Sequence, residues 1–442
     1  MTSDEATRTA KVTGEAQPKQ AGDIRDRWWW VEPTVWTERM LTRLENSEPT
    51  TVWFGLWDKV VSERTLEVAF WAVWRNAGAP GVDGQTVKQF DTHLPVELAR
   101  LRAELRHRRY RRQPARRVWI DKLGSTEKRP LGIPAVRDRT VEAALKKVLE
   151  PIFERDFAEH SYGFRPGRGC REAVKRVEEL LKEGRAWCVE LDFKSYFDTI
   201  PQERLLGLVR QRVVDGSVLA LLEQSLKAGV LEELKDWQPT ECGTPQGAVI
   251  SPLLANLYLN PLDNQMEQRG REMVRYADDL VVLCQTKEEA EQVLTELREW
   301  SEAAGLTLHP TKTRIVHVPS EGFDFLGWQF RGDKKWPRAK SRQKLQEKLR
   351  ALTRRNNGGS LGEIIGRVNP ILRGWYGYFR ESYWTGLSGP DGWLRRRLRA
   401  LLRKREKRPG YGLSKADSQR WPNRWFAEQG LFSLEHGSCT YR

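Results

Sequence analysis

The chain is poor in cysteine and histidine and has no long apolar run. Its five cysteines (Cys170, Cys188, Cys242, Cys284, Cys439) are scattered over 442 residues. That excludes a small disulfide scaffold, and the lack of any C-x-x-C pair argues against a zinc finger or ribbon. No apolar stretch approaches the roughly 18 residues a membrane span needs. Residues 1–27 lack the apolar segment of a signal peptide, and they carry five acids, unlike a transit peptide. They are expected to form a disordered tail. These absences suit a reducing, cytoplasmic setting.

Positive charge is abundant and uneven. Lys and Arg number 75 against 60 Asp and Glu, a net charge of +15. Residues 331–410 alone hold a net +17 and residues 101–140 a net +9, so the remaining 322 sum to −11. Two positive fields on a slightly acidic body point to a polyanion gripped at two places, with a nucleoid-associated location. Nucleic acid is favoured over a plain solvated face because the second patch is interleaved with aromatic rings.

The order of elements reads as α+β. Eight of the nineteen tryptophans fall within residues 28–74, and Leu66, Ala69, Phe70, Val73 and Trp74 have helical spacing. Residues 118–134 read as a hairpin. A helix through Val141, Leu145, Val148 and Leu149 is expected to stop at Pro151. WCVELDF (187–193) and MVRYADDLVVLC (273–284) read as β structure, the second as a hairpin. FDFLGWQF (323–330) reads as another strand pair. Beyond Arg331 the chain is expected to be helical and basic.

The carboxylates carry the chemistry. Asp192 ends the apolar strand WCVEL, and Asp278 and Asp279 form the tip of the hairpin. Desolvating adjacent like charges costs several kcal/mol. A divalent cation removes that cost, and hard oxygen ligands suit Mg²⁺. If the strand of Asp192 lies beside the hairpin, the acids converge. Two ions roughly 3.5–4 Å apart would clamp the attacking and leaving oxygens of a phosphoryl transfer.

Nine blocks in order give the sequence a family likeness. They are GVDG (81–84), RPLGIPAVRDR (129–139), HSYGFRPGRG (160–169), ELDFKSYFDTIP (190–201), GTPQGAVISPLLANLYLNPLD (243–263), VRYADDLVV (274–282), GLTLHPTKT (305–313), FDFLGWQF (323–330) and NPILRGWYGYFR (369–380). The chain resembles the group II intron-encoded reverse transcriptases, or maturases. The resemblance implies a right-hand polymerase fold with an antiparallel palm sheet and a helical thumb. Its expected parts are a tail over 1–27, an N-terminal extension over 28–85, fingers and palm over 86–330, a thumb or maturase domain X over 331–410, and a short DNA-binding-like tail over 411–442. Only Cys439 and His436 follow residue 400 as possible metal ligands, so no HNH endonuclease is expected.

The resemblance also assigns roles. Asp192, Asp278 and Asp279 are the catalytic carboxylates, and with Phe193 they form the set around two Mg²⁺ ions. Lys122 and Arg129 are the fingers residues for the triphosphate of a dNTP, with Lys128 an alternative for either. Phe197 is a steric gate under the sugar. Gln246 and Gly247 sit at the nucleotide or template, and Lys312 stabilises the pyrophosphate or protonates it. Arg395, Arg396, Arg397, Arg399, Arg403, Lys404 and Arg405 are expected on RNA or DNA. The implied activity copies group II intron RNA into cDNA and assists its splicing and mobility. The partners are intron RNA, an RNA template–DNA primer duplex and target DNA. Two alternatives stay open: a free-standing host reverse transcriptase in DNA repair or phage defence, and a non-catalytic RNA-binding splicing factor.

Overall fold

A computed structural model describes residues 23–121, 128–232 and 236–439. The described residues open with α1 (Ile24–Arg27), whose N-cap is Asp23, and α2 (Glu38–Glu45). The expected tail is corrected here, because Asp23–Arg27 are ordered. Arg27 pairs with Glu45 at 2.7 Å, and the buried Trp28 donates its indole N–H to the same carboxylate. The rest of that expected tail lies outside the described residues.

The elements that follow are α3 (Trp57–Val60), α4 (Glu63–Arg75), α5 (Val87–Thr92), α6 (Leu94–Arg106), β1 (Ala115–Asp121), β2 (Lys128–Ile133), α7 (Val136–Glu154), α8 (Cys170–Lys182) and β3 (Trp187–Asp192). Next come α9 (Tyr196–Thr199), α10 (Gln202–Arg210), α11 (Gly216–Lys227), β4 (Val230–Glu232), β5 (Asp236–Gln238), α12 (Ser251–Gln268), β6 (Glu272–Tyr276), β7 (Asp279–Cys284) and α13 (Lys287–Ala303). The last are β8 (Arg314–His317), β9 (Phe323–Phe325), β10 (Trp328–Arg331), β11 (Lys334–Pro337), α14 (Ala339–Leu352), α15 (Leu361–Phe379), α16 (Thr385–Arg405), α17 (Lys415–Arg420) and α18 (Asn423–Glu428).

These elements form two units. The first takes in Met1–Val118, Pro130–Phe157 and Phe197–Tyr258, and the second Trp119–Arg129, Ala158–Tyr196 and Leu259–Arg442. In the first, α4 packs on α7 through Leu66, Phe70 and Val73. Helix α7 does not stop at Pro151 as expected but runs to Glu154. An interior proline costs about 3 kcal/mol. Burying Ile152 and Phe153 beyond it, at 0% and 1% exposure, contributes about 1.5–3 kcal/mol each and offsets that cost. Strand β1 runs parallel to β4, with Ala115 opposite Val230, in a sheet of order β2-β1-β4-β5.

The second unit carries an antiparallel sheet of order β6-β7-β3-β8, covered by α8 and α13. Beside it, β9, β10 and β11 form a three-stranded antiparallel sheet. Strand β11 corrects the expectation of helix alone beyond Arg331. Its alternation, Lys335 and Pro337 buried and Lys334 exposed, pairs it to β10. One apolar core joins α8, the β6-β7-β3-β8 sheet and the β9–β10 hairpin to α14, α15, α16 and α18. Leu345, Ile364, Val368, Leu394, Leu398 and Phe426 are among its buried members.

Candidate active site

Antiparallel pairing brings two of the expected carboxylates together. Strand β3 lies on β7 from Trp187↔Cys284 to Asp192↔Asp279. Directly opposed residues point to the same face, so Asp192 and Asp279 share one, with Glu190 two residues back. Asp278 stands in the two-residue loop between Tyr276 and Asp279, which pair across the hairpin. Ala277, the first loop residue, has φ +58°. That geometry fits a type II′ turn, where glycine is the usual occupant.

The surroundings raise the carboxyl groups of Asp278 and Asp279. Asp279 is open to solvent yet crowded by protein, and burial, then Asp278 and Asp192, push it up to about 7. The Arg338 guanidinium and the Leu326 main-chain N–H act against that rise. Asp278 is also raised, chiefly by burial and further by Asp192, while Arg129 and Arg275 oppose the shift. Arg129 therefore lies within electrostatic reach of Asp278, on the exposed start of β2. The expected Lys122 lies outside the described residues.

The segment after α13 places Lys312. Phe193 bridges to Leu308, Lys194 donates to the Thr307 carbonyl at 2.8 Å, and His309 N–H donates to the Asp192 carbonyl at 2.7 Å. Lys312 then reaches Asp192 and forms an ion pair with it, both side chains partly exposed. Phe193 is buried against Tyr196 and has no side-chain donor, so only its main-chain carbonyl suits an ion.

Among the described residues, no three His, Cys, Asp or Glu side chains already enclose one ion-sized point. The donor set nevertheless fits a hard divalent cation. It offers oxygens only, and in Asp278 and Asp279 burial first, then neighbouring carboxylates, disfavour the charged form that a bound cation would stabilise.

The P-Q-G residues lie in the first unit. The Gln246 side-chain amide donates to Asp198 at 2.8 Å, and the Gln246 main-chain carbonyl accepts from Gly132 N–H at 2.7 Å. Gly247 has φ +109°, and a Cβ on it would meet the Gly132 carbonyl oxygen at 2.3 Å. The fold itself thus requires this glycine. Phe197 is half-buried, and its carbonyl accepts from Thr244 N–H at 2.7 Å. Beneath the loop, Glu142 accepts from Val249 N–H at 2.8 Å and pairs with buried Arg112 at 2.5 Å.

The C-terminal cations divide by helix phase. Arg395 and Arg399 are buried, which corrects their assignment to nucleic acid. Arg395 pairs with Asp391 at 3.1 Å and reaches Ser433, while Arg399 donates to the Trp421 carbonyl and to Asn423. They share the inward face with Leu394, Leu398 and Leu401. Arg397 bonds Thr353, and Arg403 pairs with Asp417 at 2.5 Å. Arg396, Lys404 and Arg405 are exposed.

Sequence reasoning missed Arg275. It is fully buried on β6, on the sheet face opposite Asp192, and pairs with buried Asp263 of α12. The signal was a lone cation inside an apolar strand, two residues before the loop.

An antiparallel sheet with acids at one strand end and at the neighbouring hairpin tip defines the palm of a nucleotide polymerase. Residues 120–330 match the family reverse transcriptase (RNA-dependent DNA polymerase), and residues 342–421 match the group II intron, maturase-specific domain. Protein YkfC of Escherichia coli (strain K12) is 39% identical over 340 residues, which cover 68% of this chain and 84% of that protein. Group II intron-encoded protein LtrA of Lactococcus lactis subsp. cremoris is 34% identical over 237 residues, covering 53% of this chain and 38% of LtrA. An uncharacterized 91 kDa protein in the cob intron of Schizosaccharomyces pombe is 32% identical over 277 residues, covering 48% of this chain and 34% of that one. The alignments thus span little more than a third of the last two relatives. The chain belongs to the reverse transcriptases, RNA-directed DNA polymerases, of the kind that carries a group II intron maturase-specific domain. With that family come divalent-metal-dependent nucleotide polymerisation and RNA as a partner. Among the described residues, no helix is long and apolar enough to cross a membrane.

Proposed function

We propose that this reverse transcriptase copies group II intron RNA into cDNA and, through the region after β11, assists splicing of the same RNA. The observation that carries the reading is the register of Asp192 opposite Asp279, with Asp278 in the adjoining loop. Asp192, Asp278, Asp279 and the Phe193 carbonyl would hold Mg²⁺, with two ions as the working number. When bound, the metal lowers the pKa of the primer 3′-hydroxyl and neutralises the leaving pyrophosphate. Arg129 and Lys312 offer positive charge to the triphosphate. Lys312 first has to release Asp192, with which it pairs. For Gln246, fixed by Asp198, and for Gly247 and Phe197, the family resemblance implies contact with the nucleotide or template.

Exposed Arg396, Lys404 and Arg405 are the cations of α16 proposed to meet RNA, template–primer duplex or target DNA. Near them, Arg355 lies 4.8 Å over the exposed ring of Tyr411, and Arg397 5.2 Å over Trp393. Such cation–ring pairs suit stacking on bases beside phosphate contacts. The protein would work in the cytoplasm, at the nucleoid. Primer extension on poly(rA)/oligo(dT) with Mg²⁺, run beside splicing of a group II intron RNA, tests the reading. Extension is expected from the wild type and none from an Asp278→Ala, Asp279→Ala double variant. Full extension by that variant overturns the site, and failure to promote any intron's splicing overturns the second activity.

A further inference from the structure

Arg275 holds a position that stability alone does not explain. Its side chain and that of Asp263 are both fully buried. A buried ion pair is commonly no more stabilising than an apolar pair of the same volume, because desolvation cancels the attraction. The Arg275 guanidinium is nonetheless engaged at all three nitrogens. Nε donates to Asp263 at 2.7 Å, and the same carboxylate takes a second bond from Nη2. Nη2 also donates to Ser161 Oγ at 2.7 Å, and Nη1 donates to the Ala277 carbonyl at 2.9 Å.

The last bond matters most, because that carbonyl belongs to the peptide joining Ala277 to Asp278. Ala277 has a positive φ that a non-glycine residue adopts only when its neighbours hold it there. The backbone around Arg275 is also fixed. Its N–H donates to the His160 carbonyl at 2.9 Å, and its carbonyl accepts from Tyr162 N–H at 2.8 Å. The segment 160–163 therefore lies along β6 and brings Ser161 to the guanidinium. A lysine ammonium cannot copy this fork of fixed donors.

We propose that Arg275 is a positioning residue for polymerisation: locked by Asp263 and Ser161, it holds the Ala277 carbonyl and so aims the Asp278 carboxylate. This rests on the proposed metal-binding role of Asp278.

The test separates positioning from stability. In an Arg275→Met, Asp263→Leu double variant an apolar pair replaces the ion pair, leaving no buried charge behind. Ser161→Ala removes one brace and keeps the rest. Each is compared with wild type for thermal midpoint, for kcat and KM on poly(rA)/oligo(dT), and for Mn²⁺ binding followed by electron paramagnetic resonance without nucleic acid. The double variant is expected to melt near the wild type, yet to lose about 10–100-fold in kcat and in Mn²⁺ affinity, as outer-shell changes do, with KM for template–primer unchanged. Ser161→Ala is expected to show a smaller loss in the same two readouts at an unchanged midpoint. Wild-type kcat and Mn²⁺ affinity in a folded double variant overturn the proposal. If the double variant fails to fold, wild-type values in Ser161→Ala overturn it. Should the wild type bind Mn²⁺ but not extend primers, the proposed function fails, while the comparison of Mn²⁺ affinities still judges Arg275.

Discussion

Gly163 lies so close to Ala277 that a Cβ built on it would stand 2.3 Å from the Ala277 nitrogen. Gly163 is not among the residues of positive φ, so this contact alone demands glycine. The loop 160–169 thus braces the carboxylate hairpin together with Arg275, to which its Ser161 is bonded. Gly163→Ala is expected to displace the loop and lower primer extension by about 100-fold, the cost of misplacing a reacting group by an ångström. Single-turnover extension with a parallel melting curve checks this. A variant that keeps the wild-type rate shows that the hairpin tolerates displacement.

Neighbouring arginines on α16 should behave in opposite ways. Arg395→Ala leaves buried Asp391 without its cation, although Ser433 and the Leu434 and Glu435 N–H groups still bond it. A loss of about 3 kcal/mol in stability is expected. Arg396→Ala should leave stability unchanged and reduce the slope of log affinity for RNA against log salt by about 1. Denaturant unfolding and filter binding over a salt series measure the two effects. A salt-slope change in Arg395→Ala at native stability would reverse the assignment.

Asp138 gives the first unit a pH dependence. It is buried, and that burial raises its carboxyl to about 6 from 3.8, against the hydrogen bond from Tyr110 and the charge of Arg112. The folded state therefore binds the proton more tightly than the unfolded state. Its destabilising contribution is absent below pH ~4, grows between the two values, and is complete above pH ~6, where it amounts to roughly 2–3 kcal/mol. Asp138→Asn cannot ionise. Its stability relative to wild type is expected to rise across that window and to level off on either side. Parallel urea titrations from pH 4 to pH 8 test this, and a constant difference would show that Asp138 does not titrate there.

Tyr378 ties α15 to the β9–β10 turn. Its hydroxyl donates to the Leu326 carbonyl at 2.8 Å, while Ser341 Oγ and Arg338 N–H bond the Gly327 carbonyl. Leu326 and Gly327 both have positive φ, as a type I′ turn requires. Because the Leu326 N–H acts on Asp279, Tyr378→Phe is expected to slow extension by about 10-fold at native RNA affinity. Rapid-quench extension under saturating template–primer measures it, and an unchanged rate removes the link.

The carboxylates were legible because a strand ending in Asp and a hairpin tipped by two more leave few ways to pair. Alternation alone then puts Asp192 and Asp279 on one face. The C-terminal arginines were not, because composition counts Arg395 and Arg396 alike. Only the phase of Asp391, Leu394, Leu398 and Arg399 separates them, and burial follows from partners as distant as Ser433. Arg275 was hidden for the same reason: Asp263 lies on another element and Ser161 on a distant loop. Strand β11 escaped because its lysines look like a surface stretch until β10 lies beside them.

The pairing of β10 with β11 has a consequence for how this molecule can be divided. A polymerase truncated after residue 330 would end inside β10, with a raw sheet edge and without the helices that cover Phe323, Phe325 and Trp328. Such a fragment would aggregate rather than copy templates. The helices proposed to handle RNA share one apolar core with the carboxylate-bearing sheet, so a cut at that boundary would strip the sheet of its cover.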